Sequence, residues 1–516
     1  MANFFENKDR RVIPNWRSFK KTAMLGELDM PLSAIPTLDI SFSIDSYIED
    51  FKTHRTIAHA GDLISAGVVN GFEKDEIVID AANFILAKPN ETTLTQLSLA
   101  ERISKGRPES NKLFKLDKIS LDEFSTYVNP RKVWEKIHLL KQAANEFQFN
   151  PIIWVELSRH YSIIGQQRQA VSTMKIALQL APENRFVLRS AVRLFAHYDD
   201  LEFSHDIVRK SQITNFDPWL TSAEISLATL RDRTSKFMKK GADMVSSKNF
   251  SPFSITELAS ALGTVEMING SQRKSRDLFH KSLQAPNDNS LAQIEWASKK
   301  DHQLDINPAN FQVKHNFEAQ AWDNFTNEKL EDALTNTFRW FLDMPFSKRP
   351  VMFGSHIASA MDDQETSRDF LKAGLISHPN DPQLINNIVY SLALENKTDD
   401  AMKFLERVPS LNQMDKATQI CITATRGLVY FRKGLHPEGR KFYLDAIQAA
   451  KDVKSKYFNW LAILNYAREE LLIKSEEANS VMEAVAMMPD DTENLDIRKL
   501  KKEVTEMYEK QKQTKS

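Results

Sequence analysis

A 34-residue spacing of large and small apolar side chains constrains this chain more than any other feature of its sequence. It is clearest from Asn150 to Pro182, NPIIWVELSRHYSIIGQQRQAVSTMKIALQLAP. Trp154, Leu157 and Tyr161 recur at i, i+3 and i+7, so they share one face of a helix. Ala170, Met174 and Ala177 do the same on a second helix, and the small residues let the two backbones approach closely. Pro182 ends that helix, because it has no N–H to donate. Leu188, Ala191, Phe195 and Val208 stand 34 residues beyond Trp154, Leu157, Tyr161 and Met174. A two-helix unit cannot bury its apolar face alone, so units that recur must stack on their neighbours. The pattern predicts an all-α solenoid whose contacts are mostly local.

Six of these residues (Trp154, Leu157, Tyr161, Ala170, Ala177, Pro182) stand at the offsets of the tetratricopeptide repeat, and the chain resembles that superfamily. Ser158 replaces the pattern's glycine and Met174 its aromatic residue. A second good unit is Thr418–Ala449, where Gly427, Tyr430, Gly434, Tyr443 and Ala446 match while Arg426 and Gly439 depart. Weaker units include Ser254–Pro286, with Gly263 and Phe279, and Pro350–Pro379, with Gly354 and Phe370. Ser290–Asn310 breaks the series, with Pro308 where a second helix is expected. The resemblance implies a right-handed superhelix of helix–turn–helix repeats.

The rest of the chain divides around this block. Residues 1–43 are read as an irregular arm punctuated by Pro14, Pro31 and Pro36, with a short helix near Trp16–Leu25. The arm carries a basic cluster (Lys8, Arg10, Arg11, Arg17, Lys20, Lys21) and apolar residues Val12, Ile13, Trp16 and Phe19. Two roles are open for the apolar set: packing on the helices that follow, or contact with a partner. Residues 44–129 read as an α-helical region and linker, 130–493 as the solenoid, and 494–516 as a charged capping helix and tail.

Composition narrows the function. Only 14 glycines occur in 516 residues, which disfavours glycine-rich phosphate loops and suits helices joined by tight turns. With 68 Lys+Arg against 69 Asp+Glu, no global field favours nucleic acid or an anionic membrane. Cys421 is the one cysteine, which fits a reducing compartment. No signal peptide and no apolar run of membrane-spanning length is evident, so the expectation is a cytoplasmic protein. No phosphate-loop, dinucleotide, zinc-protease or nucleophile-elbow motif is present. No catalytic residue, cofactor or metal site is predicted, and the chain is expected not to be an enzyme.

The resemblance also implies where a partner binds. In this superfamily the first helices line a concave groove, and positions 2, 5, 9 and 12 of each unit commonly contact a bound peptide. Counted from Trp154 as position 4, that rule points to Ile152, Val155, Arg159 and Ser162, and in the next unit to Arg189, Arg193 and Ala196. Arg185, Arg189 and Arg193 also form one ridge at i, i+4 and i+8. Arginine offers paired bonds to carboxylates, so an acidic peptide or carboxylate-bearing segment is one candidate ligand. The other reading is a solvated face paired with Glu156, Glu183 or Asp206. Trp322 and Phe325 occupy groove positions of a later unit and are candidate aromatic anchors; packing against Ser290–Asn310 is the alternative.

The leading expectation is a non-enzymatic scaffold binding proteins along its groove, in which reversing the charge of Arg159, Arg189 and Arg193 keeps the fold and abolishes partner binding. A peptide- or small-ligand-sensing solenoid is the second reading. Nucleic-acid binding through the basic arm is the weakest.

Overall fold

The computed structural model describes residues 13–28, 44–70, 72–105, 129–489 and 494–515. Among them, regular structure is helical, with no strand. No helix in this set is long and apolar enough to cross a membrane. The chain forms two compact units, residues 30–120 and residues 1–29 with 121–516. Residues 1–12 and 106–128 lie outside the described set, so the arm's Lys8, Arg10, Arg11 and Val12 and the expected linker are not placed.

Within the second unit the arm contributes α1 (Phe19–Met24). The smaller unit holds α2 (Asp45–Thr53), α3 (Ile57–Asn70), α4 (Glu76–Leu86) and α5 (Leu94–Lys105) around Phe51, Leu63, Ile64, Val78 and Ile85. The chain leaves α2 at His54, whose φ/ψ of −127/86° is non-helical.

The solenoid opens with α6 (Pro130–Glu146) and continues in pairs: α7 (Pro151–Ile163) with α8 (Gln167–Leu180), and α9 (Arg185–His197) with α10 (Leu201–Lys210). Next come α11 (Pro218–Leu230) with α12 (Met238–Ser246), and α13 (Pro252–Ile268) with α14 (Gln272–Ser282). The break in the repeat is real but shorter than the sequence suggests. A first helix α15 (Asp288–Ser298) forms, and its return is irregular, with a 3-10 turn at Pro308–Gln312. Pairing resumes with α16 (Phe317–Thr326) and α17 (Leu330–Asp343), then α18 (Lys348–Ala360) and α19 (Gln364–Ser377). The remaining pairs are α20 (Pro382–Leu394) with α21 (Thr398–Leu405), α22 (Lys416–Arg432) with α23 (His436–Asp452), and α24 (Lys456–Leu472) with α25 (Glu477–Ala486). Helix α26 (Leu495–Lys515) follows and packs Ile497, Leu500 and Val504 on α24 and α25.

Both ends of the first helices carry the period. Asn150, Asn184, Asp217, Ser251, Asn287, Ser347, Asp381, Asp415 and Ser455 each cap one by accepting a bond from its first-turn backbone. At the other end a left-handed residue turns the chain into the second helix: Gly165, Asp199, Glu328, Asp362 and Asn396, with φ between 59° and 68°. The N–H after each reaches back to the last turn, as Gln166 does to Tyr161 and Asp200 to Phe195, satisfying carbonyls that the helix end would leave open.

Within a unit, a glycine of the first helix receives an aromatic ring of the second. A methyl on Gly354 would stand 2.6 Å from the Phe370 ring, and one on Gly427 2.8 Å from Tyr443. The same pairing joins Gly263 to Phe279, at 3.1 Å. A serine on the second helix often adds a cross-bond to the first: Ser204 Oγ to Val192 O, Ser275 Oγ to Gly263 O and Ser367 Oγ to Ser355 O, at 2.8–3.0 Å.

Contacts are less local than nearest-neighbour stacking predicts. Ile153, Leu157, Tyr161 and Phe195 share one core with Trp340, Phe346, Phe353 and Ile357. Gly165 is packed so tightly that a methyl there would lie 2.9 Å from Ile376 O. The His197 ring stands 5.0 Å from His378 and 5.2 Å from Phe346. The early repeats therefore meet α17–α19 directly.

Candidate functional site

The first helices in this region are buried on nearly every face. All of α9 except His197 is buried, as is all of α11 except Thr229. Stacking on second helices covers one side of each. Part of the other side is covered by residues 13–28 of the arm.

The arm enters as a non-helical segment. Arg193 donates Nε to Pro14 O at 2.7 Å and Nη2 to Ile13 O at 2.8 Å. Ile13 packs with Leu188, Val192 and Leu220, and Trp16 joins the large core, its ring 5.2 Å from Phe346. Ser18 then caps α1, the Phe19 N–H donates to Glu156 Oε1 at 2.6 Å, and the Phe19 ring meets Phe186 edge-on at 5.2 Å. Of the two roles left open for the arm's apolar residues, packing on the helices is what Ile13, Trp16 and Phe19 do.

Arg17 is the centre of the arrangement. Its guanidinium, 3% exposed, pairs with Asp288 at the start of α15 and with Asp343 at the end of α17. Asn15 Nδ2 donates to Asp288 at 2.6 Å, and Lys21 Nζ and His315 Nδ1 each lie 3.3 Å from Asp343. Burial works to lower Arg17, but the carboxylates of Asp288, Asp343 and Glu27 overcome it and hold Arg17 well above its ordinary value. Burial likewise pushes Asp343 up; Arg17, His315 and Lys21 outweigh it and keep that carboxyl well below its usual range.

Glu27 closes the arm between two arginines, 3.6 Å from Arg17 Nη1 and 3.9 Å from Arg189 Nη2. Burial raises its carboxyl to about 7 against the pull of Arg17 and Arg189, with Asp288 and Glu257 adding to the rise. Glu156 is raised by burial too, opposed by Arg159 and the Phe19 N–H.

The arginines expected to line a groove have partners within the chain. Arg189 holds Glu257 through two bonds of 2.7 and 3.0 Å and lies 4.8 Å over the Trp219 ring. Arg185 donates to Asp217 at 2.5 Å and to Glu27 O at 3.3 Å. Arg159 is buried beside Glu156. The solvated-face reading is thus corrected: these arginines are core residues with partners inside the chain. So is the expectation that reversing their charges keeps the fold, since each reversal puts a carboxylate into a buried site. Trp322 stacks on Phe353 at 3.9 Å, with Phe325 5.3 Å from the same ring. Both are half-buried and packed on the core that receives Trp16.

Sequence reasoning missed Arg17, Glu27, Asp288, Asp343 and Glu257. No local spacing couples residue 17 to residues 288 and 343. The one available signal was an arginine set between Trp16 and Phe19 in an otherwise irregular stretch.

Among the described residues no group of three or more His, Cys, Asp or Glu is placed to hold a metal ion. Desolvation pushes the Cys421 thiol up to about 12, opposite to the shift that makes a nucleophile.

No family model and no curated protein matches this sequence. Among solved structures the chain is similar to yeast Tom70, at 13% identity over 76% of this chain and 95% of that one, with a TM-score of 0.31. It is also similar to the APC/C hetero-tetramer Cut9–Hcn1, at 11% identity over 91% of this chain and 98% of that one, with a TM-score of 0.34. By its own helix pairs, caps and 34-residue period, the chain is an all-α, tetratricopeptide-like solenoid.

Proposed function

We propose that this chain is a non-enzymatic scaffold for protein–protein interaction that seats a protein segment along the inner surface of its solenoid, as a component of a multiprotein complex. The observation that carries this reading is the way residues 13–28 are held. Arg193 takes two successive carbonyls, Glu156 takes a backbone N–H, and an aromatic ring and a guanidinium each enter a seat of their own. Those are the contacts by which a groove holds a peptide: main-chain bonds give affinity and side-chain seats give specificity. In this reading Arg193 and Arg189 position the segment, while Arg159, Trp322 and Phe325 belong to the walls that frame it.

The test is purification of the tagged full-length chain from its native host at moderate salt, with mass spectrometry of what accompanies it. A stoichiometric protein partner is the expected result. A chain recovered alone, or only with copies of itself, contradicts the scaffold reading.

A further inference from the structure

We infer that residues 13–28 are a tethered stand-in for a partner's segment, and that the partner presents a non-helical stretch in which an aromatic residue is followed directly by arginine. This rests on the scaffold reading above and specifies its partner.

The chemistry of the seat sets that of its occupant. Asp288 and Asp343 come from different helices and converge on one guanidinium, with both carboxylates almost fully buried. With no cation between them they would be two buried carboxylates with only His315 beside one of them, an arrangement that strongly disfavours an empty seat. The seat is therefore exchanged between occupants and not vacated. An acidic segment is excluded from it. Lysine is a poor substitute, because the planar guanidinium reaches Asp288, Asp343 and Glu27 from separate nitrogens, while an ammonium is a point charge.

The residue before the arginine enters the core beside Phe346, so it is a large aromatic. Trp16 fills that place imperfectly: its Nε1 is buried and meets no acceptor among the described residues. Phenylalanine would bury a ring there without a stranded donor. Arg193 bonds the carbonyls of residues 13 and 14, which requires a non-helical backbone there, and the core that buries Ile13 with Leu188, Val192 and Leu220 requires an apolar side chain at the first of them.

The stand-in has little regular structure of its own. Its one helix is six residues long, and both its apolar seats, for Ile13 and Trp16, and its ionic ones, for Arg17 and Glu27, are supplied by the helices around it. Such a segment keeps its place through connection in cis, which supplies an effective concentration on the order of millimolar. A partner with the same chemistry and micromolar affinity then displaces it.

The experiment uses the full-length protein with a protease site introduced within residues 29–43, so that the native segment is cut from its tether but otherwise unchanged. The probe is a fluorescent synthetic peptide of residues 13–28, followed by anisotropy. The expected result is that the cut protein takes up the peptide at least ten-fold more tightly than the uncut protein does. The Arg17→Glu peptide should bind at least ten-fold more weakly than the parent peptide, and the Trp16→Phe peptide at least as well. Failure of the cut protein to exchange its segment over days, or equal uptake of the Arg17→Glu peptide, overturns the inference. A concentration-dependent dimer of the uncut protein that the peptide dissolves would make a second copy the occupant, and would also overturn it. If a native partner stays bound in excess peptide, the scaffold reading survives and this seat is not where the partner sits.

Discussion

Arg193 Nε donates to the carbonyl of Pro14 across 2.7 Å, joining residues 179 apart in sequence. A second bond from Arg193 reaches the carbonyl of Ile13, so this buried guanidinium holds the chain's own backbone. The arm is thereby part of the solenoid's interior. Its Trp16 shares a core with α7 and α18, and its Arg17 ties α15 to α17.

Arg189→Glu should destabilise the protein severely, by roughly 3–5 kcal/mol, because it leaves Glu257 facing a second carboxylate where a buried, doubly bonded pair had been. Urea unfolding followed by tryptophan fluorescence reads the loss. The double exchange Arg189→Glu with Glu257→Arg should recover part of it. A single reversal that leaves the midpoint unmoved would place Arg189 on the surface.

Gly354→Ala should cost about 1–3 kcal/mol by forcing a methyl against the Phe370 ring, which it would meet at 2.6 Å. Phe370→Leu alone should also destabilise, yet the two together should cost less than their sum. Additive losses in thermal or urea unfolding would mean that the glycine and the ring do not share one space.

This glycine–ring pairing marks how much was legible in the sequence. Period, helix type and the positions of Gly354 with Phe370 and of Gly427 with Tyr443 were readable because each is fixed by residues within one unit. Ser158 with Met174 shows the same logic: Ser158 is small enough for Met174 to bury beside it, and its hydroxyl bonds Ala170 O at 2.7 Å. The contents of the groove were not readable. The ridge of Arg185, Arg189 and Arg193 was visible, but its partners Asp217, Glu257 and Glu27 lie 32, 68 and 158–162 residues away. Pairing at such distances depends on how repeats stack and wrap, which no local pattern encodes. The arm was the hardest element, since its conformation is imposed by the helices around it.

Stability should rise with pH between about 4 and 6.5 through His160. Burial, with Arg159 beside it, lowers this imidazole from its ordinary 6.5 to about 4, although Glu156 O partly supports its charge at 2.8 Å. In that window the unfolded chain binds the proton and the folded chain does not, so acid favours unfolding. From pH 7 to 5 the residue should remove about 2 kcal/mol. Glu27, raised to about 7, has the opposite sign: its stabilisation is present in acid and fades as pH rises through 7. Comparing the wild type with His160→Gln cancels that contribution. The wild type should lose more stability on acidification, and parallel pH profiles would contradict the assignment.

Hydrogen–deuterium exchange of the intact protein tests the central claim most directly. If the solenoid's inner surface is filled by the chain's own arm, peptides spanning residues 13–28 should exchange slowly, with the Phe19 N–H, bonded to Glu156, among the protected sites. Adding an excess of the free 13–28 peptide should accelerate exchange in the protein's own segment while the peptide takes its seat. Exchange of residues 13–28 at the rate of an unstructured chain, in the untreated protein, would contradict the account.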